Sequence, residues 1–144
     1  MKKNSSIPSA NAGAANPQAA SYASITEALA AGNVFADQCP SRLILNHITS
    51  RWGVLVLVAL LAGTHRFSEL RRRINGVSER MLAQTLQTLE GDGFVARHSL
   101  PVVPPHVEYN LTPLGIEVAE QVRNLVDWIE QNLGRINLER INLE

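Results

Sequence analysis

The chain has 144 residues, 45% of them hydrophobic, and no net charge. That is enough for one small globular domain with segments left over at the ends, and it carries no overall basicity that would announce nucleic acid. A single cysteine, Cys39, excludes an internal disulfide, and the longest apolar run, residues 54–62, is far short of the ~20 that a bilayer needs.

Residues 1–22 are rich in Ala, Asn, Ser and Pro and poor in large apolar side chains, so a disordered tail is expected. Lys2 and Lys3 are not followed by the apolar stretch of a signal peptide, and a cytoplasmic protein is expected. Residues 24–31 form a candidate short helix, capped by Ser24 and stopped by Gly32. Pro40 suits a first helical turn, with Cys39 in the cap position. That helix is expected to reach about Thr49 and to bury Leu43, Ile44 and Ile48. A second helix, residues 51–61, is apolar on nearly every side and belongs at the centre of the core.

Residues 67–74 form a short amphipathic helix. Phe67, Leu70 and Ile74 share one face, and Arg71, Arg72 and Arg73 point largely outward. Asn75-Gly76 is a turn signal. Ser78 then caps a longer helix to about Glu90, with Leu82, Leu86 and Leu89 as its buried stripe. Residues 94–100 and 107–111 have the character of two strands. The loop between them holds Pro101, Pro104 and Pro105, which cannot donate ladder hydrogen bonds. Thr112 caps a last long helix, with Pro113 at its first position and an apolar stripe through Leu114, Val118, Val122, Leu125, Val126, Ile129 and Leu133. The final ten residues repeat RINLE twice, too short a repeat for a solenoid.

Taken together, a short helix, an Asn-Gly turn and a Ser-capped helix match a helix-turn-helix, and the two strands with their stiff loop match a wing. In such a motif the second helix enters the major groove by its N-terminal residues. With Leu82, Leu86 and Leu89 inward, its outer face shows Arg80, Gln84, Gln87 and Thr88. Arginine reaches guanine O6 and N7 with two bonds, and glutamine reaches adenine N6 and N7. Ser78 and the open N–H groups beside it suit a phosphate oxygen. Arg71, Arg72 and Arg73 suit nearby phosphates, although three successive arginines point three ways and one is expected to cap or pair with an acid such as Glu69. Arg97 and His98 on the wing are placed for a flanking phosphate or the minor groove. Charge distribution agrees. Residues 40–73 carry six arginines against Glu69, net +5, while residues 108–139 carry six acids against two arginines, net −4.

The segments CP at residues 39–40, RWG at 51–53, RFSELRRRI at 66–74, GVSERML at 76–82, LEGDGFVAR at 89–97 and VPPHVEYNLTPLG at 103–115 resemble the HxlR-type winged helix-turn-helix regulators of bacteria. The resemblance implies a transcription regulator that binds double-stranded DNA as a homodimer. It also implies that some relatives sense electrophiles or oxidants through a cysteine at the position of Cys39. On the residues alone, Cys39 is open to an intermolecular bridge, a reactive thiol or a small buried hydrophobe. A helix start, with Arg42 close by, favours a thiolate there.

The expected fold is therefore mainly α with a small β wing, dimerised through terminal helices. The winged domain with its flanking helices spans residues 23–133, and residues 134–144 form a tail. Val118, Val122, Leu125, Val126, Trp128, Ile129 and Leu133 supply more apolar surface than one small domain needs, and a two-fold dimer would bury it. No HExxH, Gly-rich phosphate loop, CxxC or G-x-S-x-G is present, so neither an enzyme, a cofactor nor a metal is expected. The alternative from a different class is a winged-helix protein-interaction module without DNA binding.

Overall fold

The computed structural model describes residues 34–136 and Glu139. The expected tail at 1–22, the candidate helix at 24–31 and most of the RINLE repeat lie outside them. The chain divides into two compact units, residues 1–46 and 47–144, a division that falls inside the first described helix, α1, Pro40–Ile48.

In the first unit, turns at residues 34–38 lead to Cys39, whose carbonyl accepts from the amides of Arg42 and Leu43 and so opens α1. The expectation that α1 buries Leu43, Ile44 and Ile48 is not met: no residue of α1 is buried, and Leu43 is 57% exposed. Helical spacing identifies an apolar face without saying what covers it.

The second unit is built around α2, Arg51–Leu60. Its cap is Ser50, whose Oγ accepts from Gly53 N at 3.1 Å. A Cβ at Gly53 would lie 2.5 Å from both that Oγ and the His47 carbonyl, so the tight entry into α2 requires glycine. Val56, Leu57 and Leu60 fill the core as expected of a central helix, while Leu55 stays partly exposed. After Gly63, a two-residue strand β1, His65–Arg66, precedes α3, Phe67–Arg73. The turn at Asn75-Gly76 follows, with Gly76 at φ +92°, a conformation that L side chains rarely adopt. Then comes α4, Glu79–Gly91, capped by Ser78 Oγ accepting from Met81 N at 3.1 Å. Leu82, Leu86 and Leu89 are its buried residues, as their spacing indicates.

Strands β2, Val95–Leu100, and β3, His106–Leu111, pair antiparallel with Arg97 opposite Tyr109 and His98 opposite Glu108. The sheet has the order β1-β3-β2, with His65 opposite Tyr109. Strand β1 has no signature of its own in the sequence: two residues are too few to show alternation. Helix α5, Pro113–Gln131, starts at the Thr112 cap, whose Oγ1 accepts from Gly115 N at 2.9 Å and donates to the Gly93 carbonyl at 2.6 Å. Gly115, Ala119 and Val122 are its buried positions, and a short 3-10 turn, Leu133–Arg135, follows. At the other end of the unit, His47 Nδ1 lies 2.7 Å from Asp92 Oδ2, tying the end of α1 to the C-cap of α4. A mainly helical unit with this small antiparallel sheet is a winged helix-turn-helix, with α3 and α4 as the motif and the β2–β3 hairpin as the wing.

Candidate nucleic-acid interface

Helix α4 owes its outward face to the stripe it buries. With Leu82, Leu86 and Leu89 almost fully covered, Arg80, Gln84 and Gln87 are exposed and Thr88 is half-buried. Met81 also reaches the surface, at 41% exposure. It was absent from the site expected from sequence because an apolar residue near the stripe looks like core. Ser78 spends an acceptor position on its own helix, and its hydroxyl proton remains to be donated.

The three adjacent arginines divide as three directions around a helix require. Arg71 Nη1 donates to Glu79 Oε2 at 3.1 Å, across the turn from α3 to the first residue of α4. Arg73 Nη1 approaches His65 Nε2 at 3.2 Å, and His65 Nδ1 lies 2.7 Å from the Gly63 carbonyl. A carbonyl only accepts, so Nδ1 carries the ring proton and Nε2 accepts from Arg73. Arg72 is exposed and makes no hydrogen bond or ion pair among the described residues; the same holds for Arg80 and Arg97. Glu69, the acid expected to neutralise an arginine, accepts instead from the Arg66 amide at 2.8 Å. That bond holds its carboxyl below the usual carboxylate range, helped by the nearby positive charges of Arg66 and Arg72. The partner acid is Glu79, eight positions from Arg71, a separation that no single-helix spacing rule reveals.

A hollow of about 440 Å³ lies between α3 and the start of α4, lined by Ser68, Arg71, Arg72, Asn75, Gly76 and Glu79 among others. A second, of about 310 Å³, is lined by Ala83, Gln87, Glu90, Arg97 and Tyr109. It brings Gln87 of α4 and Arg97 of the wing, two residues singled out separately in the sequence, to the rim of one surface. His98 is less available than expected, since its Nε2 lies 3.1 Å from Asn110 Oδ1 on the neighbouring strand. The wing tip is apolar and exposed, with Val103 at 98%.

On α5, Leu125, Trp128 and Ile129 are exposed, as is Leu133 just beyond it, while Val118 and Val126 are half-buried. Val122, expected at the dimer surface, is only 7% exposed and belongs to its own core: it lies one helical turn beyond Ala119 on the buried side of α5. Cys39 is 1% exposed, with Sγ 2.9 Å from Ser41 Oγ. Arg42, expected beside the thiol, makes contacts on the preceding turn. Its guanidinium donates to the Phe35 carbonyl and pairs with Asp37 at 3.2 Å. Among the described residues no group of three or more His, Cys, Asp or Glu could hold a metal ion, and no single helix is long and apolar enough to cross a membrane.

Residues 47–137 match the model of the HxlR-like helix-turn-helix family. The chain belongs to that family. HxlR-like proteins are transcriptional regulators rather than enzymes, and the family implies DNA binding. The chain is 65% identical to the HTH-type transcriptional regulator YtfH of Escherichia coli K12 over 116 residues, covering 81% of this chain and 92% of YtfH. The solved structure of a YtfH from Salmonella typhimurium is 64% identical with a TM-score of 0.71, covering 76% of this chain and 98% of that one. The redox regulator HypR in its oxidised form is 36% identical with a TM-score of 0.61, covering 65% of this chain and 97% of HypR. This HxlR-like chain therefore has a relative described as a redox regulator, HypR, beside relatives described only as transcriptional regulators.

Proposed function

We propose that this protein is a sequence-specific regulator that binds double-stranded DNA as a homodimer, with α4 reading bases from the major groove and α3 holding the backbone. The observation that carries the reading is the division of cations around the motif. Arg80, with Gln84 and Gln87, stands on the outer face of the Ser78-capped helix, and Arg72 stands unpaired on the preceding helix. Base-edge contacts specify, and phosphate contacts position. The roles follow from place: Arg80, Gln84, Gln87 and Thr88 at bases, Ser78 and Arg72 at phosphates, Arg97 and His98 at the flank. Arg71 and Arg73 each already hold a partner within the protein, so Arg72 is the principal phosphate contact of the three.

Dimerisation is supported by the exposed Leu125, Trp128, Ile129 and Leu133. A two-fold axis would set the two α4 helices about one DNA turn, roughly 34 Å, apart. Cys39 is proposed as the input, modified by an electrophile or oxidant. The likeness to HypR supports it, and burial of the thiol ties its reaction to movement of the segment around it. The test is a mobility shift with the DNA upstream of the protein's own gene, with and without oxidant. A retarded band that random duplex does not compete away supports the reading. Equal competition by random duplex contradicts it.

A further inference from the structure

Among the described residues, Glu79 is the one acid that lines the same hollow as Arg71 and Arg72. Its side chain is 72% exposed, and its Oε2 accepts from Arg71 Nη1, itself 47% exposed, at 3.1 Å. An ion pair this open to water contributes little to stability. A carboxylate in the first turn of α4 is favoured by the helix dipole, yet it stands where the proposed interface meets a polyanion. Its consequence for binding is specific: it neutralises a guanidinium beside the proposed phosphate path, and its Oε1 makes no hydrogen bond among the described residues, at the first position of the recognition helix.

We propose that Glu79 is a specificity-determining residue of the DNA interface, an inference that rests on the DNA-binding reading above. On non-cognate duplex the Arg71–Glu79 pair carries no net charge, so the pair adds no net attraction to the backbone. On a cognate site Oε1 accepts from the N4 amino group of a cytosine in the major groove, the contact for which a carboxylate is suited. Arg71 then acts as a positioning residue, holding the carboxylate in place from the preceding helix. One ion pair thus lowers affinity for random sequence and adds a base contact to the correct one.

The test compares wild type, Glu79→Gln, Arg71→Gln and the double variant by fluorescence anisotropy. Two duplexes are used: one selected by the wild-type protein from genomic fragments, and its scrambled counterpart. Glutamine is close in shape to glutamate, and matching circular dichroism melts confirm that the fold is kept. Release of one cation to phosphate steepens the salt slope by about 0.9, which makes Glu79→Gln bind scrambled DNA roughly 5–10-fold tighter near 0.1 M salt. The double variant returns to the wild-type slope, because the released cation is gone. Fragments reselected by Glu79→Gln lose a cytosine preference at one position of each half-site. A Glu79→Gln protein with wild-type slope and wild-type base preference overturns this inference alone. A wild-type protein that selects no fragment overturns the DNA-binding reading and this inference with it.

Discussion

Gly115 lies directly against the main chain of Phe94: a Cβ at position 115 would overlap the Phe94 carbonyl oxygen. That carbonyl already accepts from the Thr112 amide at 3.0 Å, and Thr112 caps α5. The start of α5 and the root of the wing are therefore one closely packed joint, and glycine is required there for space rather than for backbone conformation.

Gly115→Ala is accordingly expected to destabilise the protein by about 1–3 kcal/mol, the usual cost of overpacking. For a domain of this size each kcal/mol lowers Tm by roughly 4–8 °C. Thermal melts of the two proteins check this, and an unchanged Tm would contradict the joint.

Most of the second unit was legible in the sequence because its signals are local. Ser78, Thr112 and Pro113 mark helix starts by caps and backbone rules, and Leu82, Leu86 and Leu89 mark a buried stripe by spacing. The less legible features depend on partners distant in the chain. Strand β1 exists because His65 and Arg66 lie beside Tyr109 and Glu108. Arg71 finds Glu79 only once the turn has folded. Val122 shares its spacing with the exposed residues of α5, but it falls on the side that packs inward. For α1, whose apolar positions look like a core face, the spacing gave no warning that Leu43 and Leu45 would stay exposed.

The exposed end of α5 leads to a prediction about assembly. Light scattering at micromolar concentration should give the mass of two chains. Leu125→Ala combined with Trp128→Ala should shift the mass toward one chain while leaving the fold intact. Val122→Ala should do the opposite, lowering Tm without changing the mass at temperatures where the protein remains folded, because Val122 is part of its own core. A wild-type mass equal to one chain would contradict the dimer.

Cys39 yields a prediction about input. Cys39→Ser should bind DNA as wild type does under reducing conditions and should lose any response to diamide or a quinone. Because the thiol is buried, alkylation of the native protein should be much slower than of the denatured chain. A response to diamide that survives in Cys39→Ser would remove the cysteine from the mechanism.

On the proposed reading, α4 reads bases while the unpaired arginine of α3 holds phosphate. The measurement that tests it most directly is the affinity of wild type, Arg80→Ala and Arg72→Ala for operator and random duplex across a salt series. Arg80→Ala should weaken operator binding by about 1–3 kcal/mol and relax base preference. Arg72→Ala should weaken both duplexes by a similar factor and flatten the salt slope by about 0.9. Equal losses on both duplexes for both variants, with no change in base preference, would contradict the account.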